Sequence, residues 1–326
     1  MREALEGFEE GVSFGGMKIT NLRYADYTML VCASRKELMN LLKRIKIASE
    51  RKGLLLNTKK TKIMVLDPSR TDDDFVLDGQ QIEEVQQFEY LGSLIDNKSD
   101  STTEIKRRLA IARNTTQNMV NIWKSRGVST ELKLRLLRAT VFSVATYGCE
   151  SWAPTKNDSK RIDSFEMWCY RRLLRISWQD KRTNEWVLEK IGSGLILRDL
   201  IRERKLKYFG HIMRKENSIE KQIIQGAVKG RRGRGRPATA WTDGIKEWTE
   251  RSMSKATTLA RDRRRWRALV ETTAVPMGTI SDTRERERER EREGGREGWN
   301  FPHENIFLER GAATASVLNY EFHQKS

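Results

Sequence analysis

Cysteine is scarce in this chain of 326 residues, and Cys32, Cys149 and Cys169 stand far apart. Their odd number leaves no complete disulfide set, and a reducing compartment is the simplest reading. No CxxC pair occurs and His211 has no ligand spacing to any cysteine, so the sequence offers no zinc site. Long apolar runs are also missing, and without them no transmembrane helix is expected. Met1 to Glu6 lacks the apolar stretch of a secretory signal peptide, so secretion is not expected. Hydrophobic residues make up only 37%, low for a compact chain yet too high for disorder throughout.

What is abundant is positive charge. The net charge is +17, a field that favours polyanionic partners through attraction to phosphates and release of their counterions. It is concentrated: Ile201 to Ala240 carries twelve Lys and Arg against three acidic residues. A solvated basic face is the plainer reading of such charge; contact with RNA or DNA is the sharper one. Nine tryptophans support a real core.

Periodicity divides the chain. Asn21 to Ala33 reads as a strand–turn–strand hairpin. Ser34 and Glu37 form a capping-box pair before a helix with Leu38, Leu41, Leu42, Ile45 and Ala48 on one face, and Gly53 is its stop. Leu54–Asn57, Lys62–Leu66 and Phe88–Ile95 are strand candidates, and Asp78-Gly79 signals a turn. Beyond residue 101 the pattern is helical, with Ser101 and Glu104 as a second capping box and Asp158 capping a third helix. The aromatic stripes there are core between packed helices, and Trp266, though flanked by arginines, reads as core before it reads as a stacking surface. Arg284 to Glu293 is strict Arg-Glu alternation, as an alternating purine repeat in DNA would encode. It has no apolar face, and Gly294 to Ser326 shows no sustained period, so a disordered tail is expected. The fold class is therefore α+β, with boundaries at 1–100, 101–225, 226–272 and 273–326.

The most informative string is Asn21-Leu22-Arg23-Tyr24-Ala25-Asp26-Tyr27-Thr28-Met29-Leu30. It resembles the palm hairpin of reverse transcriptases, whose turn carries two aspartates. Gly53 to Lys62 resembles the following palm motif of non-LTR enzymes, and Phe88-Glu89-Tyr90-Leu91-Gly92 the primer-grip strand. Ile105 to Val270 is similar to the thumb and C-terminal region of the RTE-like group of LINE-type elements, with Tyr147 to Trp152, Tyr208 to Ile212 and Gly233 to Pro237 as typical blocks. The resemblance spans about residues 5–272. It implies a partial palm over 1–100, a helical thumb and connection over 101–225, and a basic Gly/Arg linker with C-terminal helices over 226–272.

The resemblance also implies an RNA-directed DNA polymerase that uses magnesium, RNA or DNA as partner, and a nuclear or cytoplasmic location, nuclear favoured. Nucleotidyl transfer needs convergent carboxylates around two metals. Asp26 holds the first hairpin position, as a remnant metal ligand; Tyr27 holds the second, and a phenol with a pKa of about 10 is a poor magnesium ligand. In the family the third carboxylate, the fingers and the endonuclease domain precede this point, and only 23 residues precede Tyr24. Productive magnesium binding and polymerisation are not expected, and the strands that remain are expected to expose unpaired edges. Asp72-Asp73-Asp74 reads as a solvated loop. Lys59, Lys60 and Lys62 are either phosphate contacts inherited from the parent enzyme or a solvated face. Arg231, Arg232, Arg234 and Arg236 surround glycines in a segment that matches the core of an AT-hook at Arg234 to Pro237, or serves as a flexible linker touching phosphates without preference. A co-opted nucleic-acid-binding helical module, and translated element DNA with no function, remain alternatives. Template-primed extension with magnesium or manganese is expected to give no product, and Tyr27→Asp is expected not to restore it. Extension that disappears on Asp26→Ala would overturn this reading.

Overall fold

A computed structural model describes residues 5–8, 11–14, 17–24, 27–66, 75–98, 100–216, 218–226, 239–274, 316–320 and 322–324. The chain divides into two compact units, one of residues 1–100, 217–236 and 307–326, the other of residues 101–216 and 237–306. The first is α+β and the second is helical among the described residues.

In the first unit, β1 (Val12–Phe14) and β2 (Met17–Ile19) form a small antiparallel pair. The expected hairpin follows as β3 (Asn21–Tyr24) and β4 (Tyr27–Cys32), in register from Asn21 opposite Leu30 to Tyr24 opposite Tyr27. Helix α1 (Arg35–Glu50) starts where expected: the Ser34 hydroxyl accepts from the Glu37 N–H at 3.2 Å. The Glu37 carboxylate accepts from the Ala33 N–H, one residue earlier than a strict capping box. Next come β5 (Leu54–Leu56), β6 (Lys62–Val65), the β7–β8 hairpin (Val76–Leu77, Gln80–Gln81) and β9 (Glu83–Glu84). The span Phe88–Ile95 is not one strand but a hairpin, β10 (Gln87–Tyr90) and β11 (Ser93–Asp96). Leu91 and Gly92 both take positive φ, 48° and 78°, which is the two-residue turn that reverses the chain there.

The main sheet runs β3-β4-β12-β6-β9, where β12 (Ser316–Tyr320) lies antiparallel to both β4 and β6. A further strand, β13 (Phe322–Gln324), pairs with β5. This corrects two expectations. A tail without structure was expected after Gly294, and residues 316–320 and 322–324 of it are strands, the rest lying outside the described residues; unpaired edges were expected at the β segments, and β4 and β6 instead share one partner, with β3 and β9 as the sheet's edges. Five residues have too few periods for a sequence signal, and β12 takes its order from the two strands beside it. Strands β4 and β6 are buried on both faces. Leu30, Cys32, Ile63 and Val65 pack with α1 through Leu38, Leu41, Leu42 and Ile45 on one side. Met29, Val31 and Met64 pack with Val12, Ile19, Phe88, Tyr90 and Ile223 on the other. Strands covered on both faces read as continuous apolar runs rather than alternation, as β4 does.

In the second unit, α2 (Thr102–Asn118), α3 (Val120–Lys124) and α4 (Thr130–Leu136) lead into a π-helical stretch, Leu137–Phe142. Helices α5 (Lys156–Leu173), α6 (Asn184–Ile191) and α7 (Leu197–Arg214) follow, then α8 (Trp241–Thr249), α9 (Met253–Arg261) and α10 (Arg263–Ala274). Two caps differ from expectation. Ser101 has helical backbone angles and makes no cap bond; its hydroxyl accepts instead from the Ala153 N–H at 3.0 Å, and Glu104 turns to Arg108 at 2.7 Å. The N-cap of α5 is Thr155, with Asp158 as the reciprocal third residue of the box rather than the cap. The core gathers Ile105, Trp123, Leu137, Phe142, Phe165 and Tyr170. Trp266 is core, as expected, 2% exposed with its N–H donated to the Leu206 carbonyl at 2.9 Å. Gly210 makes that contact possible, since a methyl group there would overlap the Trp266 ring.

Because β4 and β6 meet only through β12, a chain ending at residue 315 is expected to lose amide protection across residues 28–32 and 62–65, read by hydrogen exchange. Exchange there should rise by about ten-fold or more, with the helices of the second unit unchanged. Leu318→Pro in the full chain should act alike, by removing a ladder donor from an inner strand. Unaltered exchange in β4 and β6 would show that β12 does not hold the sheet.

Candidate nucleic-acid interface

The expected site residues divide by where they lie. Tyr27 opens β4 and pairs through its backbone with Tyr24, so the hairpin that displays the turn is formed. Asp26 lies outside the described residues, as do Asp72 to Asp74 and Arg231, Arg232, Arg234 and Arg236. Lys59 and Lys60 are exposed in the turn between β5 and β6, where the Lys60 N–H donates to the Asn57 side chain at 3.3 Å. Lys62, on β6, is ion-paired with Glu83, which offsets its charge. Among the described residues no three His, Cys, Asp or Glu side chains come together as a metal would require. Asp26 and Asp72 to Asp74, the carboxylates the sequence offered, are not among those residues.

Positive charge in the second unit is organised around aromatic rings. Arg113 and Arg172 lie 5.0 and 5.5 Å from the ring centre of Trp168. Arg182 and Lys190 lie 4.7 and 5.7 Å from that of Trp186. Such contacts hold cations at the surface without neutralising them. Burial pushes the Lys133 ammonium below its ordinary pKa, and the nearby Arg175 pushes the same way. Lys133 donates to the carbonyls of Trp123 and Ser125 at 3.0 and 2.7 Å, which satisfies the end of α3.

Sequence reasoning missed Lys205. It is 1% exposed, donates to the Trp152 carbonyl at 2.6 Å, and sits 4.8 Å from the ring centre of Trp241 and 5.2 Å from that of Trp248. It lines a half-open cavity of about 380 Å³ whose wall also carries Lys156, Lys160, Arg198 and Arg202. The signal was present: Ile201, Lys205, Tyr208 and Ile212 follow helical spacing, so a lysine occupies an apolar face. Burial lowers its pKa to about 7, while the indole faces favour the cation. Cys149 and Cys169 are buried thiols, and burial pushes both above their ordinary pKa, Cys169 to about 12. Neither is poised as a nucleophile.

Among the described residues no helix is long and apolar enough to cross a membrane. The chain is similar to an uncharacterised protein of Caenorhabditis elegans described as transposon-derived, with 27% identity over 276 residues, covering 78% of this chain and 96% of that protein. No family model matches the chain. No solved structure matches it.

The depressed pKa of Lys205 has a definite sign. Between about pH 7 and 10.5 the unfolded chain holds a proton that the folded chain has released, so stability rises with pH across that window. From pH 7.0 to 8.5 the urea stability of the second unit should gain about 1–2 kcal/mol relative to Lys205→Met, a difference from which the thiols common to both proteins cancel. Tryptophan fluorescence reads it, because every described tryptophan lies in that unit. Parallel pH profiles for the two proteins would refute the buried, weakly basic lysine.

Proposed function

We propose that this chain is a remnant of a transposable element, derived from the RNA-directed DNA polymerase of a non-LTR type, that has lost polymerase activity and retains affinity for nucleic acid. The observation that carries the origin is the hairpin. Tyr24 and Tyr27 pair on either side of Ala25-Asp26 in the sequence, and the strand that follows, β4, lies inside the sheet and is buried on both faces. Two paired strands flanking an aspartate, one of them an inner strand of the sheet, are what a polymerase palm asks of its sequence. Similarity to a transposon-derived protein supports the transposable-element origin, the coarser part of this reading. Loss of activity is argued from position 27, where a neutral phenol stands in place of the family's second hairpin carboxylate and is a poor magnesium ligand.

Residual binding rests on charge. The chain carries +17, and the glycine-spaced arginines 231, 232, 234 and 236 give close backbone approach and several phosphate contacts in one short segment. The co-opted reading, a binding module built on the helices alone, is favoured by one observation: the second unit has its own closed hydrophobic core.

The test is anisotropy of labelled DNA and RNA against salt concentration. Affinity should fall steeply with salt, and replacing Arg231, Arg232, Arg234 and Arg236 by Ala should flatten the logarithmic slope by about 3 to 4. An unchanged slope removes that segment from the interface. Absence of binding even at low salt would leave translated element DNA without function as the better account.

A further inference from the structure

We propose that Trp178 is a stacking platform for unpaired bases, which makes the loop between α5 and α6 a binding site for single-stranded nucleic acid. This rests on the nucleic-acid reading above and gives it a place and a preferred strand form. Trp178 is 86% exposed, where every other described tryptophan is buried or half-buried. A fully presented indole is a large apolar surface left in water, and such surfaces mark contact sites.

The loop holds this ring out by construction. Trp178 begins a single 3₁₀ turn, Trp178–Asp180. The Asp180 carboxylate accepts from the Ser177 N–H at 2.6 Å, and the Ser177 hydroxyl accepts from the Gln179 N–H at 3.3 Å. On either side, Arg175 and Lys181 take left-handed backbone angles, φ 59° and 44°, unusual for residues with a Cβ. Arg175 is anchored through its guanidinium to the Lys124 carbonyl at 3.2 Å. Arg171 closes the far end, donating to the Arg182 carbonyl at 2.8 Å and the Asn184 side chain at 2.9 Å. A rigid mount loses little conformational freedom when a base stacks on it.

Charge decides the partner. Residues 171 to 182 hold five cations, Arg171, Arg172, Arg175, Lys181 and Arg182, against Asp180 alone, and that carboxylate is already bonded to Ser177. Arg172, Arg175, Lys181 and Arg182 are exposed, and among the described residues no carboxylate pairs with them. Phosphates fit the cations and a base fits the indole. An exposed ring on a segment rich in arginine and lysine is an arrangement by which proteins hold single strands, whatever their sequence. A duplex keeps its bases stacked on each other and offers the ring no face, so the preference is for unpaired strands.

Trp178→Ala in the full chain is expected to weaken binding of a short labelled single strand by about ten-fold or more. The salt slope and the affinity for a blunt duplex should stay unchanged, because the substitution removes no charge. Trp178→Phe, which keeps an aromatic face, should recover most of the loss. Circular dichroism and the melting temperature should match the parent, since the ring packs against no core. Equal single-strand affinity in Trp178→Ala overturns the proposal and points to a protein partner for the ring. So does an equal loss on duplex. If the parent chain binds neither form at low salt, the nucleic-acid reading fails as well; if it binds and Trp178 is indifferent, only this inference fails.

Discussion

One buried carboxylate organises the helical unit. Glu166 is fully buried on α5, and it accepts from the Tyr170 hydroxyl at 2.6 Å and from the N–H groups of Ile196 and Leu197 at 2.8 Å each. Those two N–H groups stand at the head of α7, where no helical partner exists for them. A single side chain thus fixes where the longest helices of the unit meet. Burial pushes the Glu166 pKa up, and its three hydrogen bonds pull against that. Asp158 does the same at the other end of α5: it gathers Thr155, Thr102 and Arg161, and there the hydrogen bonds outweigh burial, so its pKa falls. The cation–π pairs and the indole-lined cavity around Lys205 rest on helices placed by these contacts.

The two units solve the same problem in different ways. In the helical unit, buried polar groups find partners close by, often one turn away, as Tyr170 finds Glu166. In the sheet unit the backbone needs its partners from afar. Strand β4 pairs with β3, its neighbour in the sequence, but its other edge is met by a segment almost three hundred residues later in the chain. A helix carries its own hydrogen bonds and a strand does not.

That difference also explains what could be read from the sequence. The β3–β4 hairpin, the Ser34 cap, the apolar face of α1 and the buried Trp266 were legible because each is written in local spacing. The start of α5 was misplaced by three residues because Asp158 and Thr155 share one box, and either could have been its first member. The Leu91-Gly92 reversal was missed because an apolar residue rarely takes positive φ. Strand β12 was invisible, since its reason for existing lies in other segments. Of the candidate site, the hairpin and the lysine turn could be located, whereas Lys205 and Trp178 required knowing which face of the chain is turned inward. A tryptophan in sequence reads as core until a structure shows otherwise.

The lone partner shared by β4 and β6 has a consequence in time. Val65 ends β6 and Ser316 begins β12, so about 250 residues must be synthesised between them. At roughly 5–20 residues per second, the two strands emerge and wait on the order of 10–50 s with facing edges open. Open, apolar edges invite pairing with other chains. For this molecule the vulnerable period is therefore birth, and what shields the nascent sheet on the ribosome should govern how much of it survives to fold.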